Sequence, residues 1–214
     1  MFGMLTVMAP EPDEALQGKG AQTRRAILDA AIARFGREGY RSTSVADIAR
    51  DASVGGTIAY AYFPNKEALF MAAVDEDAAG VIEEGLSGAF AQGRVILDWR
   101  QTLIVTLVGA LARHPLARRL LAGLEPEVTV RVLQIPALEE LRKVCAERLR
   151  TEQLNGTVRP DIDPVVIANG VVAVVLSLLM SVVQLGDTAT AMYGEDVVAL
   201  FEAAIEWTPP VRPT

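Results

Sequence analysis

One cysteine, one histidine and an aromatic share of 6% leave this chain of 214 residues short of the parts from which many sites are built. Cys145 alone excludes an internal disulfide framework and a cysteine-ligated zinc site, and a lone thiol suits a reducing, cytoplasmic setting. With His114 as the single imidazole, no paired histidine spacing exists for a metal. No G-x-G-x-x-G, nucleophile elbow or phosphate loop occurs. Neither a metal, a cofactor nor an enzymatic activity is therefore expected. Strand-like alternation never persists, and no internal repeat is present. The start, MFGMLTVMAP, lacks a basic n-region and its apolar run is short, which excludes a good signal peptide.

What the chain does have is apolar material, 51% of its residues, ample for a buried core. It also has an uneven charge. The net charge is −7, yet residues 19–70 carry eight basic and five acidic side chains, a surplus of three. Residues 71–214 carry 12 basic and 19 acidic groups. A basic first third on an acidic body is the asymmetry of a small head that meets nucleic acid. Residues 1–18, with three acids and two prolines, read as a mobile tail.

Helical periodicity dominates. The first helix is expected from Thr23, as N-cap, to Glu38, with Ile27, Ala31 and Phe35 forming one apolar stripe and Gly39 in a left-handed C-terminal position. Ser44 and Asp47 form a capping-box-like start for a second helix. A turn falls near 52–54, Gly55-Gly56 open a third helix, and Pro64 ends it. A fourth helix begins at Lys66-Glu67 and runs to about Ala89. Two short helices joined by a tight turn are the helix-turn-helix layout, which sets the second of the pair into a DNA major groove. Later helices are expected over Trp99–Arg113, over short pieces cut by Pro115 and Pro126, over Ala137–Leu154, and after Asp163-Pro164. The fold expected is all-α: an N-terminal three-helix DNA-binding head at 19–66 and a helical effector-binding and dimerisation body at 67–208.

Residues 165–185 hold 21 positions without a charge, roughly 31 Å as a helix and enough to span a bilayer. Asn169, Ser177, Ser181 and Gln184 interrupt the run, and acids rather than basic anchors flank it. A helix apolar nearly all round also arises where one side meets its own core and the other a partner subunit. The subunit interface is preferred, with no membrane partner expected.

The segments TRRAILDAAIARFGREGYRSTSVADIARDASV and YAYFPNKEALF resemble the head of the tetracycline-repressor-like (TetR) family of bacterial regulators over about residues 22–70. The resemblance implies a transcriptional regulator, a repressor in type, that binds a palindromic operator in double-stranded DNA as a homodimer. It implies pairing through helices at about 163–185 and 194–206, and release by a small effector. It places phosphate contacts at Thr43, Ser44, Tyr60 and Lys66. The family's Gly-Val-Ser ahead of the reading helix is Ser53-Val54-Gly55 here, and its Gly-Thr pair falls on Thr57-Ile58.

The reading helix is expected to present Gly55, Gly56, Thr57, Tyr60 and Tyr62. It contains no Arg, Lys, Asn or Gln, so the bidentate pairings that single out guanine and adenine are missing. Methyl contact by Thr57 or the alanines, hydroxyls and backbone approach at the glycines remain, favouring a reading through methyls, shape and water. Trp99, Leu103, Leu107, Met180 and Gln184 are candidates for the effector pocket. His114 is expected at a helix end. The scarcity of charge in the apolar helices implies a lipophilic effector.

Overall fold

The structure is a computed structural model and describes residues 12–89, 99–126 and 133–206, without the side chains of 12–17 and 187–194. Nine helices occur among these residues: α1 (Pro12–Ser42), α2 (Val45–Asp51), α3 (Gly56–Tyr62), α4 (Lys66–Ala89), α5 (Trp99–Ala110), α6 (Pro115–Leu121), α7 (Pro136–Leu154), α8 (Pro164–Leu185) and α9 (Asp187–Ile205). A single bridge, Val158 to Glu206, is the only β pairing among the described residues. The fold is all-α.

Helix α1 starts ahead of its expected N-cap. Thr23 lies inside the helix and donates its hydroxyl to the Lys19 carbonyl at 2.9 Å. The helix takes in residues 12–18 of the segment read as a tail, and residues 1–11 lie outside the described part. Its stripe is the expected one: Ile27, Ala31 and Phe35 are fully buried. Burying each large side chain there contributes about 1.5–3 kcal/mol. Phe35 and Tyr40 both meet the Phe70 ring of α4, each with centroids 4.9 Å apart. Gly39 interrupts α1 with φ 85° and ψ 170°. The positive φ was anticipated. The extended ψ places it in a region that essentially glycine alone occupies.

Helix α4 runs through both halves of the molecule. Its first turns, with Leu69 and Phe70, close the head; its later turns, with Val81 and Ile82, belong to the body core. Asn65 caps it, accepting from the Ala68 amide at 2.8 Å. Helix α6 crosses α1 at Gly36, where a Cβ would stand 2.8 Å from Pro115 Cβ.

Helix α8 begins as anticipated, with Asp163 accepting from the Val165 amide at 2.8 Å. One side buries Ala168, Val171, Val172, Val175, Leu178 and Leu179. The other exposes Val166, Asn169, Ala173 and Ser177, spaced three or four apart. The helix is long and apolar enough to cross a membrane, but half of it packs on α6, α7 and α9.

Candidate nucleic-acid interface and effector cavity

Ser44 starts α2: its oxygen accepts from the Asp47 amide at 3.1 Å and its hydroxyl donates to Asp47 Oδ2 at 2.6 Å. That bond, with Arg50 nearby, holds the Asp47 carboxyl below the usual carboxylate range. The turn is closed by backbone bonds from Ser53 to Arg50 at 3.0 Å and from Val54 to Ala49 at 2.9 Å. Ser53 sits at φ 56°, a left-handed position that costs a non-glycine residue about 1–2 kcal/mol. Its occupation shows how firmly the turn geometry is imposed.

Helix α3 is anchored by Ala59, which is fully buried, and by half-buried Tyr62, whose hydroxyl lies against Gly20 of α1. Gly55, Gly56, Thr57, Ile58, Tyr60 and Ala61 are exposed. The surrounding cations divide into two sets. Arg34 binds Asp51 at 2.6 Å and Glu38 at 3.0 Å, tying α1 to α2; its guanidinium holds the Asp51 carboxyl below its ordinary range. Arg25 pairs with Asp29 at 2.9 Å and with Glu76, Arg37 with Glu38 at 2.9 Å, and Arg50 with Asp47 at 3.0 Å. Lys19, Arg24 and Arg41 stand on exposed positions of the same head, Arg24 over the Phe63 ring at 5.4 Å.

In the body, α4 to α8 line a half-open cavity of about 80 Å³. Val74, Ala78 and Val81 of α4, Leu107 of α5, Ala117 and Leu120 of α6, Leu138 of α7 and Val175 of α8 are among its walls, and every lining side chain is aliphatic. Above it, Asp77 of α4 accepts from the Leu116 and Ala117 amides at 3.0 and 2.8 Å, capping α6 from a different helix. His114, the N-cap residue of α6, lies between Asp77 at 2.9 Å and Glu84 at 3.2 Å, the helix-end position anticipated for it.

The family described as "Bacterial regulatory proteins, tetR family" matches residues 27–73, the helices that build the head. The A-factor receptor protein of Streptomyces griseus is 31% identical over 160 residues, 74% of this chain and 54% of that protein. The head of this chain belongs to the tetR family. The chain spans about half the length of that curated relative. A TetR-family transcriptional regulator of Pectobacterium atrosepticum shares the fold at a TM-score of 0.66 and 19% identity, covering 91% of this chain and 99% of the other. Thermus thermophilus FadR, a TetR-family repressor solved with lauroyl-CoA, shares it at 0.62 and 23%, covering 89% and 99%.

Several residues sit differently from expectation. Thr43 is 2% exposed and donates its hydroxyl to the Gly39 carbonyl at 2.8 Å, so it closes the end of α1 and offers nothing to a phosphate. Lys66 is half-buried, with Nζ 4.4 Å above the Tyr40 ring and 3.3 Å from the Arg41 carbonyl that it donates to. Tyr62 packs rather than projects. Ser44, Gly55, Gly56, Thr57 and Tyr60 are exposed.

Of the five pocket candidates, only Leu107 lines the cavity. Trp99 is buried elsewhere, its indole Nε1 donating at 2.8 Å to Glu152, which also holds Arg100 at 2.5 Å and Arg148 at 3.0 Å. Leu103 packs on Gly85. Met180 lies off the cavity, and Gln184 is exposed and donates to the Leu121 carbonyl at 2.9 Å. Ile58 was missed. It was not among the expected contacts, and the orientation of α3 leaves it 47% exposed.

Proposed function

We propose that this protein is a ligand-responsive DNA-binding transcriptional repressor, with a head to residue 66 and an effector-binding and dimerisation body beyond it. It acts in the cytoplasm, on a palindromic operator, as a homodimer. The observation that carries this reading is α4: one uninterrupted helix whose first turns pack on α1 in the head and whose later turns wall the aliphatic cavity. Two heads related by a two-fold axis would meet successive major grooves about 34–36 Å apart. The face of α8 that exposes Val166, Ala173 and Ser177, with Leu200 of α9, supplies an apolar surface for the second subunit.

The cavity supports a lipophilic effector. At about 80 Å³ it falls well below the roughly 300–1,000 Å³ of ordinary ligand sites. A ligand must therefore part its walls, and it favours whichever arrangement of α4 and α6 gives it more room. Only that difference in affinity can release DNA. The Thermus relative was solved with a ligand bearing a saturated acyl chain, and an aliphatic segment of that kind suits walls of Val, Leu, Ile and Ala.

The test is selection of genomic fragments by the full-length protein at two salt concentrations, alongside its mass in solution. A dimer retaining palindromic fragments, more weakly at high salt, is expected. A monomer, or a dimer retaining no sequence above background, would refute the proposal.

A further inference from the structure

Among the described isoleucines, Ile58 is the exposed one, at 47%; Ile27, Ile48, Ile104, Ile135 and Ile205 are all buried. It stands on the exposed side of α3 with Thr57 and Ala61, about 100° around the helix from the buried Ala59. Beneath it the floor is open. The nearest atom to a Cβ built on Gly55 is Ile58 Cδ1 at 4.0 Å, and a Cβ on Gly56 meets nothing within 4 Å. An aliphatic knob therefore rises from a bare glycine platform, on a helix without amide or guanidinium side chains.

The major-groove edges of guanine, cytosine and adenine present hydrogen-bonding groups, whereas thymine adds a C5 methyl. A hydrocarbon pressed on N7, O6 or N4 strips water from a polar group and returns no bond, which is unfavourable. Against the thymine methyl, both partners lose apolar surface to solvent. We infer that Ile58 is a specificity-determining residue and selects thymine, through its methyl group, at one position in each half-site. This rests on the DNA-reading function proposed above and assigns it a base and an atom.

The test uses the full-length protein and the fragments recovered in the genomic selection. Each thymine within the protected region is replaced by deoxyuridine, which removes the methyl and keeps the pairing. One symmetric position is expected to weaken binding about fourfold per half-site, the value of one buried methyl group. Ile58→Ala should bind the thymine and uracil fragments alike, and Ile58→Val should keep part of the difference. Both variants should keep the parent's melting temperature and mass in solution, which shows that the heads remain folded. Uracil tolerance at every position, with fragments still retained, overturns the inference and leaves DNA reading intact. A uracil effect undiminished in Ile58→Ala assigns the methyl to another residue and also overturns it. If no fragment is retained at all, the DNA-reading function fails and this inference falls with it.

Discussion

Alanine at Gly56 distinguishes a glycine required by the fold from one required by an external surface. Gly56 opens α3 without a positive φ, and its added Cβ would meet nothing within 4 Å. No contact inside the subunit demands a glycine. Glycine costs a helix interior roughly 0.5–1 kcal/mol relative to alanine; at the first helical position about half of that, some 0.5 kcal/mol, is a fair share. Gly56→Ala should therefore raise the melting temperature by about 1–2 °C for a chain of this size. On DNA the sign reverses. A methyl on each of two heads, placed where backbone approaches the duplex, should weaken operator binding at least tenfold, about 1.4 kcal/mol per dimer. Thermal melting and gel-shift titration on the same preparation read the two effects. A variant that is stabilised yet binds the operator as tightly as the parent would show that this end of α3 stays clear of the groove. A variant destabilised by more than about 1 kcal/mol would show that the fold does use the glycine, and the argument from free space would fail.

Other outcomes follow from the same geometry. Gly36→Ala sets a Cβ 2.8 Å from Pro115 Cβ and 3.0 Å from its carbonyl carbon; forcing α1 from α6 should cost about 1–2 kcal/mol net and lower the melting temperature by several degrees, so an unchanged or higher value refutes the packing described. Burial pushes the Cys145 thiol up to about 11. Maleimide labelling at pH 8 should be slow in the native protein and rapid in denaturant, and rapid native labelling would contradict that burial. The Asp51 carboxyl, held low by Arg34, binds fewer protons folded than unfolded. Its contribution to stability is complete above the unfolded carboxylate range near pH 4 and is lost as pH falls through the lower folded value. Asp51→Asn should thus lower the melting temperature at pH 7 and converge with the parent at strongly acid pH; equal destabilisation at both would refute the assignment.

The head was legible in the sequence because its signals are local. Ser44 and Asp47 lie three residues apart, Gly39 marks a chain reversal, and Pro64-Asn65 stop one helix and cap the next. The start of α8 at Asp163-Pro164 was readable for the same reason. The body was less so, because which side of an apolar helix faces a cavity is decided by distant partners. Trp99 read as a pocket wall, yet its indole N–H needs an acceptor and finds one 53 residues away in Glu152. Leu107 and Leu103 share a helix and a residue type, and only the position of α4, α6 and α8 sends one to the cavity and not the other. Thr43 shows the same limit at short range. The family resemblance placed a phosphate contact there, whereas the buried hydroxyl donates to the Gly39 carbonyl at 2.8 Å.

Asp77 clamps the first turn of α6 onto α4 by two amide bonds. The 24 residues of α4 make a rod about 36 Å long, and the clamp sits about 16 Å from its head end. A guest wedging α6 outward would thus pull on one beam: a pivot of about ten degrees at the clamp sweeps the head end through roughly 3 Å, close to one base-pair step, and swelling in a greasy chamber would become misalignment at the double helix.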